Sequence, residues 1–168
     1  YIRIMKKNIA VIGSSGAIGN AISKILQEDK SVNSIYNFSR STSSNVSKKE
    51  NSIYIDIESE KSIKEAVQEI PQDLKFDLIF VATGILHTDD GVYPEKSIRD
   101  ISADKLKKVL MVNTVGPTLI GKYFIPFLNK DNKNVFAFLS ARVGSISENK
   151  LGGWYSYRAS KTALNQIV

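Results

Sequence analysis

The chain has 168 residues and no cysteine, and its 23 basic and 17 acidic residues give a net charge of +6. This length suits one domain, residues 1–168, and the lack of cysteine excludes disulfides and thiolate chemistry and is compatible with the cytoplasm, where we expect the protein. No apolar stretch approaches the ~20 residues of a membrane span, and the lysines are scattered, so neither a membrane nor a nucleic acid is an expected partner.

Met5 has the features of a natural start, so residues 1–4 are expected to lie upstream of it. The apolar run after Lys6 and Lys7 is short and belongs to the first predicted strand, so no signal peptide is predicted.

Strand and helix patterns alternate along the chain. Apolar runs predict strands at residues 9–12, 34–38, 53–55, 76–81 and 134–139. Helices are predicted at residues 17–28, 59–70, 101–128 and 156–168. Asp100 or Ser102 is a candidate cap of the third helix, whose course Pro117 and Pro126 disturb. Such alternation predicts an α/β fold, a doubly wound parallel sheet of the Rossmann type, with a mobile loop at 39–52 and a second long connection at 85–100.

A glycine-rich turn, Gly13-Ser-Ser-Gly16-Ala-Ile-Gly19, directly follows the first predicted strand. With a strand before it and a helix after it, such a turn is typical of a dinucleotide site, because glycine lets the backbone approach a pyrophosphate at a helix N-terminus. The alternative is an ordinary strand–helix turn that uses glycine for its positive φ. The candidate cofactor-binding residues here are Gly13, Ser14, Ser15, Gly16, Ile18 and Gly19.

The second predicted strand ends at Ser39 and Arg40, where NAD-binding domains carry an acidic residue about 20 positions past the glycines. A carboxylate there repels a 2′-phosphate, whereas a guanidinium can bind it through two hydrogen bonds. The sequence therefore favours NADP(H) over NAD(H), the alternative being that Arg40 is an ordinary surface arginine. Asp56 follows the third strand on the same side of the sheet, where it can accept a hydrogen bond from the adenine amino group.

Tyr157 and Lys161 are four residues apart on the last predicted helix and therefore share one face. A nearby ammonium lowers the pKa of a tyrosine, which can then give a proton to a carbonyl oxygen as hydride arrives. Chance also produces this spacing, since the chain has 7 tyrosines and many more lysines. Its position after the fifth strand, facing the cofactor crevice, is the more specific signal.

These motifs together resemble the short-chain dehydrogenase/reductase family, and residues 152–161 are most similar to its C-factor-like, carbonyl-reductase-like branch. The resemblance spans essentially the whole chain and depends on the order of four motifs: the glycine turn, Asn113, residues 139–145 and Tyr157-x-x-x-Lys161. It implies that Tyr157 is the general acid/base and that Lys161 lowers its pKa and holds the nicotinamide ribose. It also implies that Asn113 supports a water in the proton relay.

The resemblance further implies that Asp56 and Ile57 border the adenine.

Three departures from the family pattern affect the other candidate residues. The family commonly has Asn-Asn-Ala-Gly after the fourth strand, whereas this chain has Val81-Ala82-Thr83-Gly84, so only backbone contacts to the cofactor are expected from Ala82, Thr83 and Gly84.

The second departure is Ser140-Ala141, because the family has two serines there and the second carries the catalytic hydroxyl. Ser140 is the candidate substitute for that catalytic serine, with Ser145 as an alternative.

The third departure is the end of the chain at Val168. Family members continue with further strands and the substrate lid, so we expect an incomplete family domain with strand order 3-2-1-4-5, its C-terminal strands absent from this chain.

Three functions remain open at this point. The first is an NADPH-dependent reductase of a ketone or aldehyde, with a small carbonyl or alcohol as partner. The second is a nucleotide-binding or signalling protein that keeps the fold but little catalysis. The third is a self-associating structural protein, since the resemblance implies a homodimer or homotetramer. No metal site is expected, because the chain has one histidine and no cysteine.

Overall fold

One parallel sheet organises the chain in a computed structural model that describes residues 6–42 and 47–168. Within these residues the strands are β1 (Lys7–Ile12), β2 (Val32–Ser39), β3 (Glu50–Tyr54), β4 (Leu78–Val81) and β5 (Val135–Phe138). They lie in the order β3-β2-β1-β4-β5, and each neighbouring pair is parallel. The predicted fold class and strand order are confirmed.

The helices of the described residues are α1 (Ala17–Glu28), α2 (Glu60–Gln68), α3 (Ala103–Leu110), α4 (Gly116–Phe124) and α5 (Tyr155–Ile167). The single helix expected at 101–128 is instead α3, a π-helical segment at Met111–Val115, and α4. Pro117 lies in the first turn of α4, where its missing N–H is tolerated.

The predicted caps of α3 do not form. Ser102 immediately precedes the helix, but its side chain makes no capping hydrogen bond. Asp100 lies one turn earlier, where its carboxylate accepts a hydrogen bond from the backbone N–H of Ser97. The position of both residues was a correct indication of a helix start, whereas their hydrogen bonding was not readable from the sequence.

Hydrophobic clusters lie on both faces of the sheet. On one face, β1 and β2 side chains such as Val11 and Ile35 pack against Ile22 and Leu26 of α1. The opposite face carries the larger cluster, in which α2 and α4 cover the sheet and the rings of Phe38 and Phe124 meet edge to face at 5.1 Å. Each such fully buried side chain contributes about 1.5–3 kcal/mol. This packing holds the C-terminal ends of β1 and β2 in place.

Two long connections leave the C-terminal edge of the sheet. The polar loop expected at 39–52 is shorter, because β2 extends through Ser39 and β3 begins at Glu50; its residues 43–46 lie outside the described residues. The connection expected at 85–100 is irregular apart from a short helical turn at Ile98–Asp100.

In the described part of the chain, no helix combines the length and apolar character that a membrane crossing requires.

Candidate active site

A cleft of about 470 Å³ opens at the C-terminal edge of the sheet. The strand order reverses between β1 and β4 at this edge, which is where open α/β sheets bind ligands. Many residues that the sequence singled out for cofactor binding line the cleft: Gly13, Ser15, Gly16, Ser39, Arg40, Asp56, Ile57, Ala82, Thr83 and Gly84. The fold therefore brings together the ends of four strands that are far apart in the sequence.

Three candidate residues of the glycine turn do not line the cleft: Ser14, Ile18 and Gly19. Gly19 is buried, and a Cβ there would lie 2.2 Å from the carbonyl oxygen of Gly13, so the turn closes only with glycine. Gly13 itself has a φ of +86°. Ser14 lines a neighbouring polar cavity rather than the cleft, and Ile18 is 48% exposed. The turn thus has the tight backbone that the glycine spacing predicted.

Arg40 and Asp56 both line this cleft. Arg40 is exposed and forms no ion pair with any described residue. One carboxylate oxygen of Asp56 accepts a hydrogen bond from the backbone N–H of Glu58 at 3.0 Å, which fixes the turn after β3. The guanidinium is therefore available to a ligand, while the carboxylate is partly engaged.

Several residues that line the cleft were not predicted from the sequence. Lys108 reaches the cleft from α3 and pairs with Glu58 at 2.7 Å. Asp90 lies in the connection after β4, and hydrogen bonds from the Thr88 hydroxyl and from its own backbone hold its pKa below the usual range. The other missed lining residues are Ile55, Ile85, Thr88, Asp89 and Val112. For the lining residues within 85–100, the length of this connection was the only feature of the sequence that indicated a functional segment.

Lys161 is buried beside the end of the cleft. Its side chain is 3% exposed, and its Nζ donates to the carbonyl oxygen of Leu139 at 2.9 Å. A Cβ built on Gly84 would lie 3.2 Å from this Nζ, so Lys161 lies directly beside the cleft wall at the end of β4, although neither it nor Tyr157 is among the lining residues. Tyr157 shares this face of α5, with the lysine Nζ 5.9 Å from its ring centroid.

Burial shifts the pKa values of this pair in opposite directions. It raises the pKa of the Tyr157 phenol and lowers the pKa of the Lys161 ammonium. The lowered tyrosine pKa that the resemblance implied is therefore not found in this structure. The physical reason is partial burial of the phenol, which disfavours its charged form.

Asn113 is fully buried and connects the cleft wall to α5. It lies in the π-helical segment, an irregularity that often marks functional sites. Its Oδ1 accepts from the Ile85 N–H at 2.7 Å, and its Nδ2 donates to the Ile85 carbonyl at 2.9 Å and to the Ser160 hydroxyl at 3.0 Å. Ser160, which sequence analysis missed, donates onward to the Tyr157 carbonyl at 2.8 Å.

Ser140 and Ala141, which follow β5, are the two positions at which the sequence departs from the paired serines of the family pattern. The Ser140 hydroxyl donates to the side-chain oxygen of Asn165 on α5 at 2.5 Å. Ala141 begins the short turn at Arg142–Gly144 and carries no hydroxyl. The hydroxyl that this segment offers is therefore engaged by another side chain.

Comparison with known proteins places the chain in a family. The family model described as short chain dehydrogenase matches residues 7–168. A 1-hydroxy-2-glutathionyl-2-methyl-3-butene dehydrogenase of Rhodococcus sp. (strain AD45) is 28% identical over 114 residues, which are 67% of this chain and 46% of that protein. The C-signal of Myxococcus xanthus is 31% identical over 72 residues, 43% of each chain. The chain thus spans a little under half the length of these curated relatives.

Solved structures show the same fold. The carbonyl reductase Sniffer of D. melanogaster has a TM-score of 0.81 at 21% identity, over 96% of this chain and 72% of that one. The NADPH-bound carbonyl reductase from chicken fatty liver has a TM-score of 0.81 at 19% identity, over 96% and 68% of the two chains. The family match over residues 7–168 and the observed sheet order agree with each other: the chain belongs to the short-chain dehydrogenase family.

Proposed function

We propose that this protein is an NADPH-dependent oxidoreductase that reduces a ketone or aldehyde, with Tyr157 as the proton donor. One observation carries the proposal: Lys161, which shares a face of α5 with Tyr157, lies beside Gly84 in the wall of a cleft that the glycine turn and Arg40 also line. A dinucleotide pocket and a potential proton donor therefore share one edge of the sheet.

The residues present suit a dinucleotide. Gly19 leaves no space for a side chain, so the turn is tight, and Gly16 has no Cβ to keep a phosphate away from the backbone. Thr83 supports the same conclusion, because its hydroxyl oxygen is buried and has no hydrogen-bond partner among the described residues. A buried polar atom of this kind is costly unless a ligand satisfies it. The turn at Gly13–Gly16 would hold the pyrophosphate, and Asp56 and Ile57 would border the adenine.

Arg40 supports the preference for NADPH. Its guanidinium lines the cleft and has no ion-pair partner among the described residues, so it can bind a 2′-phosphate. Lys108, the other cationic lining residue, is already paired with Glu58. The 2′-phosphate therefore has one free cationic partner in the described cleft.

The proton that the substrate carbonyl receives comes from a side chain of the protein itself. NADPH supplies the hydride when it is bound. The Tyr157 hydroxyl, which its raised pKa keeps protonated at neutral pH, donates a proton to the carbonyl oxygen and becomes a phenolate. The Lys161 ammonium stabilises that phenolate by charge, and the Ser160 hydroxyl, which Asn113 contacts, holds the backbone carbonyl of Tyr157.

NADPH oxidation with a panel of ketones and aldehydes tests the proposal in the full-length protein. We expect turnover in the wild type and a loss of about 10²–10⁴-fold in Tyr157→Phe, the range that a positioned general acid contributes. The matched control is Tyr54→Phe, because Tyr54 is exposed on β3 and lies outside the cleft. Binding of NADPH without turnover of any carbonyl would contradict the proposal.

A second candidate function is nucleotide binding with little catalysis. It is favoured by Ala141, which offers no hydroxyl, and by the engagement of Ser140 with Asn165. The C-signal of Myxococcus xanthus, one of the relatives, carries a name that refers to signalling. Ser140 can act as the polarising hydroxyl only if it releases Asn165.

Ala141→Ser separates the two functions. If the protein is a reductase that lacks one polarising hydroxyl, restoring it should raise kcat by up to about 10²-fold, by analogy with donors to a developing oxyanion. Ala103→Ser, at the exposed start of α3, is the control and should leave kcat unchanged. Absence of turnover in both the wild type and Ala141→Ser would favour the nucleotide-binding function.

Self-association is proposed from the family alone. We expect a homodimer or homotetramer in the cytoplasm, acting on a small carbonyl or alcohol. Light scattering of the full-length protein measures its mass directly, and a monomer at all concentrations would contradict this expectation.

A further inference from the structure

A buried carboxylate outside the cleft contacts the helix that carries Tyr157. Glu95 lies in the connection between β4 and α3, and its side chain is 4% exposed. Both of its carboxylate oxygens bind Ser156 in the first turn of α5: one accepts from the Ser156 N–H at 3.1 Å and the other from the Ser156 hydroxyl. None of the mechanism above uses this group.

The backbone that leads into α5 requires external support. Gly152, Gly153 and Trp154 have φ values of +66°, +67° and +52°. Among the described residues, Trp154 is the only non-glycine residue with positive φ. Such a conformation is unfavourable for a bulky side chain and persists only where the surroundings hold it. The Glu95 carbonyl provides one such contact, since it accepts the Trp154 N–H at 2.6 Å.

Glu95 also performs the role of a helix cap. The first N–H groups of a helix lack partners within it, and a side chain just before the helix normally accepts one of them. Trp154 occupies that position and makes no side-chain cap. The Glu95 carboxylate accepts the Ser156 N–H instead, and its negative charge suits the positive end of the helix. No cation pairs with Glu95 among the described residues.

These contacts act on Tyr157. Its ring meets the Trp154 ring edge to face, with centroids 6.2 Å apart. Trp154 is held in its left-handed conformation by the Glu95 carbonyl, and the next residue that Glu95 binds, Ser156, directly precedes Tyr157. The position of the phenol therefore depends on Glu95 through both neighbours.

We propose that Glu95 is a positioning residue for Tyr157: its buried carboxylate caps α5 from another connection and sets the approach of the phenol to the substrate carbonyl. This inference rests on the proposed reductase function. Glu95 does not touch the cleft, so its effect is on kcat and not on cofactor binding.

The kinetic test uses Glu95→Ala and Glu95→Gln in the full-length protein. A displacement of the donor by about 1 Å can cost about 10²-fold in rate, so we expect Glu95→Ala to lower kcat by about 10- to 100-fold per folded molecule. The KM for NADPH should stay within about twofold of the wild type. Gln keeps one acceptor oxygen for Ser156, so Glu95→Gln should recover part of kcat. Glu69→Ala, at an exposed site after α2, is the control.

A second measurement, amide hydrogen exchange at Trp154–Tyr157, reports the cap without turnover. Faster exchange there in Glu95→Ala, together with the selective loss of kcat, supports the proposal. Unchanged kcat per folded molecule overturns it, and so does a loss that only follows the folded fraction. If the wild type shows no turnover, the reductase function fails, and the positioning role fails with it. Exchange that is the same in wild type and Glu95→Ala overturns the capping contact itself.

Discussion

Tyr157 and Lys161 show how burial prepares individual residues for the proposed chemistry. Burial raises the pKa of the phenol, which keeps its proton at neutral pH, and lowers the pKa of the ammonium. The lysine is held by one hydrogen bond to the Leu139 carbonyl, and no carboxylate pairs with it in the described residues. A charge buried in this way is unfavourable for folding, which is typical of a functional site.

The shifted pKa values predict the pH dependence of carbonyl reduction. We expect kcat/KM to be flat near neutral pH and to fall at alkaline pH, as Lys161 loses its charge and Tyr157 loses its proton. Steady-state rates from neutral to strongly alkaline pH measure this directly. In Tyr157→Phe the residual rate should lack the limb due to the phenol, and a wild-type rate that increases with alkalinity would contradict the assignment of Tyr157 as the acid.

Lys161→Met should stabilise the fold while it abolishes activity. The pKa of the folded lysine lies below its unfolded value, so the gain is full below the folded pKa and disappears above the unfolded one. We expect roughly 0.5–2 kcal/mol at neutral pH, the usual gain when a costly functional residue is replaced.

Chemical denaturation of Lys161→Met, with the exposed Lys150→Met as control, measures this gain. A destabilised Lys161→Met would show that the hydrogen bond to Leu139 outweighs the cost of burying the charge.

At the scale of elements, the turn between β1 and α1 is the part of the site that could be predicted most fully from the sequence. Its glycine spacing after an apolar strand predicted both the tight backbone and its place at the sheet edge, and the structure shows the reason at Gly19. The π-helical segment at Met111–Val115 was not predicted, because the sequence indicated only that Pro117 and Pro126 disturb the helix expected at 101–128. The Glu95 cap was equally hidden, since the two partners are 61 residues apart.

Gly19→Ala tests the turn. Its Cβ would lie 2.2 Å from a backbone oxygen, so the turn must shift, and we expect a loss of about 1–3 kcal/mol in stability and weaker NADPH binding. Gly121→Ala in α4 is the matched control, because its Cβ meets only the Phe138 ring at 3.8 Å. That control should be neutral or stabilising by up to about 1 kcal/mol, since alanine favours helix. Wild-type NADPH affinity in Gly19→Ala would contradict the role of the turn.

At the scale of the whole molecule, the alternation of apolar strands and amphipathic helices sufficed to predict a doubly wound parallel sheet, because right-handed connections leave few ways to arrange such a chain. The strand order β3-β2-β1-β4-β5 was predicted from the family resemblance and is confirmed. The pairing of side chains across the site did not follow, because contacts such as Ser140 with Asn165 depend on how α5 settles against the end of β5. The net charge of +6 favours attraction of an anionic cofactor to the cleft.

Calorimetric titration of the full-length protein with NADPH and NADH tests the central claim most directly. We predict saturable binding of NADPH with a Kd at least about tenfold below that of NADH, a difference of about 1.4 kcal/mol. Arg40→Ala should remove the difference, because it deletes the free cationic partner of the 2′-phosphate. Equal affinities in the wild type would contradict the role of Arg40, and no saturable binding of either nucleotide would contradict the proposed function as a whole.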